Sequence, residues 1–158
     1  MIVRPLAIIE QTYHELLPAR FDSHAATVML LAIGLQESKF VHRTQIGGPA
    51  RGFWQFERGG GVRGVLTHRS TERYAESVCL LRRVPAGAET VYKAIADDDL
   101  LACAFARLLL WSSPGALPTT TSAAWNYYNA LWRPGKPHPE TWDGYFAHAV
   151  ALATQEEK

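Results

Sequence analysis

The sequence has few cysteines and no pattern of metal ligands, which narrows the chemistry it can carry. Its two cysteines, Cys79 and Cys103, have no paired His or Cys nearby, so they do not form a zinc-binding pattern. Both fall on apolar faces of predicted helices. We expect buried free thiols, because a lone Cys packs as a small apolar side chain, although the even count leaves one disulfide open. No metal and no cofactor is predicted.

Long apolar segments are also missing. No stretch approaches the roughly 20 consecutive apolar residues that a membrane-spanning helix needs. The first 17 residues lack the cationic start, the apolar core and the small-residue cleavage site of a secretory signal. We therefore expect no integral membrane association and synthesis in the cytoplasm. If the protein acts on a cell wall, a holin, a virion or a secretion system would have to deliver it.

An excess of charge of either sign is absent as well. Sixteen Lys and Arg residues balance fifteen Asp and Glu residues, which gives a net charge of +1. This balance argues against a dedicated nucleic-acid-binding protein. The hydrophobic fraction of 47% is that of a globular protein, and residues 1–158 are predicted to form a single domain. The sequence does not indicate an oligomeric state.

Helical spacing of apolar residues dominates the chain and predicts a mainly α fold with about six or seven helices. The predicted helices are residues 5–17, 24–40, 70–84, 89–95, 97–113, 123–132 and a last one beginning near 139. An aspartate triplet at 97–99 is expected to cap its helix. Seven glycines interrupt residues 41–68, where we expect an irregular insertion with short strands at 53–56 and 62–66. A loop this long is usually functional.

The most informative position is Glu37, which follows twelve uncharged residues at the end of a predicted buried helix. An acid that protonates a leaving oxygen near neutral pH must keep its proton, and burial achieves this by penalising the charged form. Gly34 lies one turn earlier on the same face, where we expect a packing contact or space beneath the carboxylate. Judged by position alone, an exposed Glu on the last turn is an equally good interpretation.

Two sequence segments around this glutamate resemble the signature of the lytic transglycosylases. Residues 37–40 read ESKF and residues 49–55 read PARGFWQ. The family has ES-x-F, a spacer, and then GA-x-G-hydrophobic-hydrophobic-Q. The separation of eighteen residues between Glu37 and Gln55 also matches that family.

Two later segments extend the resemblance. Residues 125–131 (WNYYNAL) resemble the A-x-AYNAG motif of the family, and residues 140–145 (ETWDGY) resemble its ET-x-x-YV motif. The motifs occur in the order of the family and cover residues 28–150. The chain is therefore similar to the lytic transglycosylases over most of its length.

The resemblance implies a goose-lysozyme-like fold with a cleft between the helices and the insertion. It also implies cleavage of the β-1,4 bond between N-acetylmuramic acid and N-acetylglucosamine in peptidoglycan glycan strands. By the same resemblance, Glu37 is the general acid and then the base. Gln55 hydrogen-bonds the sugar or its acetamido group, Tyr128 shapes the cleft near the cleaved bond, and Asn129 is a secondary contact.

Two further candidates complete the substrate-binding set, and several positions depart from the family. Trp54 is expected to stack on a sugar face because it lies in the loop. Ser38 is included, although bracing the helix end is its preferred role. Ile46 replaces a frequent serine, Pro49 the first glycine of GA-x-G, and Leu131 the glycine of YNAG. These departures predict a divergent member of the family, for example one of phage type.

The mechanism depends on whether a second carboxylate joins the first. A transglycosylase needs one acid, because the muramoyl 6-hydroxyl closes on C1 to give a 1,6-anhydro product. An inverting lysozyme needs a second carboxylate about 6.5–9.5 Å away to position water. Glu57, the only acid in the insertion, would either reach the cleft or pair with an arginine at 51, 58 or 63. We prefer the pairing, and with it the one-acid mechanism.

Three functions thus follow from the sequence, in order of preference. The first is a peptidoglycan lytic transglycosylase with one catalytic glutamate. The second is a hydrolytic lysozyme or a chitinase on the same fold, with Glu57 as its second carboxylate. The third is a non-catalytic glycan-binding module that has kept the cleft and lost the activity.

Overall fold

A computed structural model describes residues 3–155, and within that range the chain forms eight α-helices and no β-strand. The helices are α1 (Pro5–Leu16), α2 (His24–Ser38), α3 (Arg63–Thr67), α4 (Glu72–Arg82), α5 (Ala88–Ile95), α6 (Asp99–Ser112), α7 (Thr121–Trp132) and α8 (Pro139–Thr154). The predicted mainly α class is confirmed.

Side chains that cap the helices account for several of these boundaries. Ser23 caps α2 by accepting a hydrogen bond from the backbone N–H of Ala26, and Thr120 caps α7 in the same way. Asp98 caps α6 and also receives two hydrogen bonds from the Arg82 guanidinium, at 2.9 and 3.1 Å. The interpretation of the aspartate triplet as a helix cap is confirmed.

The core is organised around α2 and α6, the two helices without a polar face. Every residue from 101 to 110 is buried, and α2 is buried from residue 28 to residue 34. Helix α2 packs mainly against α8, and α6 against α1. Because these two helices are apolar on all sides, they have to be covered by the amphipathic ones.

Both cysteines lie within this core and remain unpaired. Cys79 and Cys103 are buried free thiols, as expected. Burial raises the pKa of Cys79 to about 11 and that of Cys103 to about 12. Both are therefore protonated and unreactive at neutral pH.

The insertion is irregular, as predicted, but neither of the two strands predicted within it forms. Residues 62–66 belong to α3 and the turn before it, so the strand predicted there is wrong. Residues 53–56 form a tight turn, and the only ladder contacts near them are isolated bridges that join Arg51 to Thr44 and to Phe56. Glycine-rich sequence favoured turns here, because so few side chains are available to cover a strand.

The end of α2 is fixed by an aromatic ring that folds back onto the helix. Lys39 and Phe40 both have a φ of 55°, which turns the chain sharply after Ser38. A Cβ atom at Gly34 would lie 2.0 Å from the Phe40 ring, so glycine is required for this close approach. Phe40 is itself packed edge-on against Phe53, with ring centroids 5.6 Å apart. Of the two roles expected for Gly34, the structure supports the packing contact.

We predict that Gly34→Ala destabilises the protein by about 1–3 kcal/mol, because the buried Phe40 ring, which packs against Phe53 and Trp54, would have to shift. Gly144→Ala is the matched control, since a Cβ atom added to this helical glycine would have no other atom within 4 Å. The control should stabilise α8 by about 0.5–1 kcal/mol through helix propensity. Urea unfolding of both variants measures the difference, and equal stabilities would contradict the prediction.

Candidate active site

A cleft of about 710 Å³ opens between the end of α2, the insertion and the end of α7. Its size is within the range of about 300–1,000 Å³ typical of small-ligand sites. Four of the sequence-predicted residues line it, namely Glu37, Gln55, Glu57 and Tyr128. Residues from three distant parts of the chain therefore meet at one concave surface.

A short hydrogen bond joins Glu37 to Tyr128 across this cleft. The Tyr128 hydroxyl donates to Oε1 of Glu37 at 2.5 Å. The other carboxyl oxygen, Oε2, has no hydrogen-bond partner within residues 3–155. Glu37 thus has one oxygen held by the protein and one available to a molecule in the cleft.

Burial of this carboxyl group changes its protonation near neutral pH. Desolvation raises the pKa of Glu37 from 4.5 to about 7. The hydrogen bond from Tyr128 acts in the opposite direction, because it favours the charged form of the carboxyl group. The Tyr128 side chain is 2% exposed, and burial together with the nearby Glu37 carboxylate raises its own pKa well above its usual range. At neutral pH the pair holds one acidic proton that can be transferred, the proton of Glu37.

Aromatic neighbours hold Tyr128 in place. Its ring stacks on Trp142 at an interplanar angle of 6° with centroids 5.2 Å apart. Trp142 is in turn fixed by a hydrogen bond from its indole N–H to the Thr121 carbonyl, at 3.0 Å. Because the phenol cannot tilt freely, its hydroxyl is directed at Glu37 before any ligand binds.

Gln55 reaches the cleft through a strained turn. It has a φ of 53° and closes a four-residue loop in which the backbones of Arg51 and Phe56 exchange two hydrogen bonds, of 2.8 and 2.9 Å. Its side-chain Nε2 donates to the Gly52 carbonyl at 2.9 Å. The amide oxygen of Gln55 is therefore the atom that can accept a hydrogen bond in the cleft.

Trp54 does not have the role expected from the sequence. Its ring is 1% exposed and its indole N–H donates to the Leu30 carbonyl of α2 at 2.9 Å. A ring buried in this way cannot stack on a sugar, so the prediction of substrate contact is wrong. Trp54 anchors the insertion to the helix that carries Glu37.

Ser38 is also an anchor. Its side chain is buried, and its hydroxyl lies 2.7 Å from the Phe53 carbonyl and 3.1 Å from the Gly34 carbonyl, both of which accept from it. The same oxygen accepts a hydrogen bond from the Phe40 N–H at 3.1 Å. Ser38 braces the helix end, which was its preferred role, and does not face the cleft.

Asn129 lies outside the cleft, whereas Trp132, which is not among the predicted substrate-binding residues, lines it. The Asn129 side chain donates to the Trp125 carbonyl at 2.9 Å within α7. Trp132 lines the cleft and donates its indole N–H to the Trp54 carbonyl at 2.9 Å. Its position four residues after Tyr128, on the same helical face, was the signal that could have revealed it.

Glu57 lines the cleft as an exposed carboxylate. The pairing with Arg51, Arg58 or Arg63 is not found, because Glu57 forms no ion pair in the part of the chain that the structure describes. Arg58 instead contacts Glu89 at 2.7 Å. The preferred interpretation of Glu57 was therefore wrong.

Basic side chains also line the cleft. Arg133, Lys136 and His138 belong to the segment between α7 and α8 and contribute to the lining of the cleft. Gln36 ties this segment to α2 by donating to the His138 carbonyl at 3.0 Å and accepting from Thr141 at 2.9 Å. The cleft thus has two carboxyl side chains from α2 and the insertion, and two cations, Arg133 and Lys136, from the segment before α8.

Neither a metal-ligand cluster nor a membrane-spanning helix is found between residues 3 and 155. No three His, Cys, Asp or Glu side chains converge there in a way that could hold a metal ion. No helix in that range is both long and apolar enough to cross a bilayer.

No protein-family model, no curated protein and no solved structure matches this chain.

Glu37→Gln should change how stability depends on pH. Because the pKa of Glu37 is about 7 in the folded state and 4.5 is its ordinary value, the folded state binds more protons between these two pH values. The parent therefore loses stability as pH rises from about 4.5 to about 7. The neutral Gln avoids this loss and still accepts from Tyr128, so the variant should be more stable by about 1–3 kcal/mol at pH 8.

Urea unfolding of parent and variant at pH 4 and pH 8 measures this difference. The advantage of the variant should disappear at pH 4, where the carboxyl group is protonated in both states. A constant difference across the two pH values would show that the Glu37 carboxyl group is not buried as described.

Proposed function

We propose that this protein cleaves the β-1,4 bond between N-acetylmuramic acid and N-acetylglucosamine in peptidoglycan, as a lytic transglycosylase with Glu37 as its one catalytic carboxyl group. The observation that carries the proposal is the hydrogen bond from Tyr128 to Glu37. These residues are 91 positions apart, and each was singled out by a different motif. Their contact supports the interpretation of both motifs as parts of one site.

The first step is protonation of the leaving oxygen. With a pKa near 7, Glu37 keeps its proton in a large fraction of molecules at neutral pH. Oε2, the oxygen without a protein partner, transfers that proton to the glycosidic oxygen. The bond from C1 to this oxygen breaks, its electron pair stays with the oxygen, and C1 becomes oxocarbenium-like.

The second step uses the same group as a base. The carboxylate left on Glu37 is stabilised by the Tyr128 hydroxyl, which donates to Oε1. Oε2 then takes the proton of the muramoyl 6-hydroxyl while the hydroxyl oxygen bonds to C1. This step yields the 1,6-anhydro sugar and restores the protonated acid. The amide oxygen of Gln55 is suited to accept a hydrogen bond from the N–H of an acetamido group. Such a hydrogen bond would orient the sugar.

A hydrolytic mechanism is the second candidate, and one observation favours it. Glu57 lines the same cleft as Glu37 and is not engaged in an ion pair within residues 3–155. A carboxylate in that position would be available to activate a water molecule, as an inverting lysozyme or chitinase requires.

Glu37→Gln should lower clearing of purified cell walls by at least about 100-fold, because a positioned general acid contributes about 10²–10⁴ to the rate. The activity of the parent should decline as pH rises through about 7, the pKa of the acid. Glu15→Gln, an exposed glutamate on α1, serves as the control and should behave as the parent. Clearing by Glu37→Gln at the rate of the parent would refute the assignment of the acid, whereas a parent that binds cell walls without clearing them would favour a binding module.

Glu57→Gln separates the two mechanisms. If one acid suffices, the variant should clear cell walls at a rate similar to that of the parent, and mass analysis should find 1,6-anhydromuramic products from both proteins. Loss of activity in Glu57→Gln, together with parent products that carry a free reducing end, would favour the hydrolase. Arg58→Gln controls for a charge change in the same part of the insertion.

A further inference from the structure

A second cavity, of about 390 Å³, lies at the end of α6 and shares no lining residue with the cleft. Its walls come from the last turns of α6, from the segment that leads to α7, and from Tyr127. Most of them are apolar, and these residues are Leu110, Trp111, Pro114, Ala116 and Leu117. Arg107 also lines the cavity, together with the polar side chains of Ser113 and Tyr127.

Arg107 is a buried cation without a counterion. Its side chain is 3% exposed, and no carboxylate forms an ion pair with it anywhere in residues 3–155. The titratable groups whose charges affect it are Tyr13, Tyr127 and Cys103, and phenols and thiols ordinarily carry no negative charge at neutral pH. Burial lowers the pKa of Arg107, but a guanidinium stays protonated in proteins.

The guanidinium is held in place but not satisfied. Its Nε donates to the Phe21 carbonyl at 2.8 Å, and its plane lies near the rings of Phe21 and Trp111, at 5.3 and 5.7 Å. Its buried Nη1 has no hydrogen-bond partner among the described residues. A buried charge with an unpaired donor is costly, so an anion that reached it would gain a strong, charge-assisted hydrogen bond.

We propose that this cavity is a binding site for a small organic carboxylate with an apolar body, whose carboxylate pairs with Arg107. The apolar walls fit a hydrocarbon chain better than a hydrated inorganic ion, and the volume limits the ligand to a small molecule. Because Arg107 already contacts Phe21 and Trp111, the donor is oriented before the ligand arrives, which lowers the entropic cost of binding. The site is independent of the proposed reaction.

Titration with hexanoate and with hexanamide, its neutral counterpart, tests the proposal. Hexanoate should bind the parent, and hexanamide should bind at least about tenfold more weakly, because it lacks the charge that pairs with the guanidinium. At ten times its Kd, hexanoate should raise the Tm of the parent by about 3–6 °C. Equal binding of the two compounds, or no binding of hexanoate, would overturn the proposal and leave Arg107 to be satisfied by water alone.

Two variants locate the ligand. Arg107→Met removes the charge, and Leu117→Trp enlarges another lining side chain so that it fills the cavity while Arg107 stays in place. Both should lose hexanoate binding, whereas Glu37→Gln should retain it. Loss of the Arg107 bond to Phe21 could impair folding of the first variant, in which case Leu117→Trp decides. Binding that survives in folded Leu117→Trp, or that disappears in Glu37→Gln, would contradict the assignment.

Discussion

Burial of the Glu37 carboxyl group at the end of an apolar helix is the constraint on which the site depends. Helix α2 is in the core, so its last turn brings a carboxyl group to the edge of that core, where ionisation is disfavoured. Tyr128 offsets part of this penalty with one hydrogen bond. The result is an acid with a pKa near neutrality, not a permanently charged or a permanently neutral group.

Backbone carbonyls provide the acceptors that hold the insertion around this acid. The Trp54 indole donates to a carbonyl of α2, the Trp132 indole donates to the carbonyl of Trp54, and Ser38 donates to the carbonyl of Phe53. A glycine-rich loop loses much conformational entropy on folding, so these side-chain anchors are needed to keep it in one conformation. Trp54 therefore supports the site from beneath without facing a ligand, whereas Trp132 also lines the cleft.

Sequence reasoning was accurate for helices and less accurate for the insertion. The helical periodicity of α2 and α6 comes from burial on all sides, a strong and local signal. The strand predicted at 62–66 is a helix and the turn before it, because a short apolar run among glycines fits either structure. Trp54 was expected at the surface because it is in a loop, but a loop residue is buried when its ring fills a gap beside a helix.

The sequence by itself determined the mainly α class, the position of Glu37 at the end of a buried helix, and Gln55 and Tyr128 as its candidate partners. These follow from periodicity and from motifs, which are local. Only the tertiary structure decided that Tyr128 donates to Glu37, that Glu57 lines the cleft, and that Arg107 has no counterion among the described residues. Those facts depend on which side chains meet across long sequence separations, and neither composition nor spacing encodes such contacts directly.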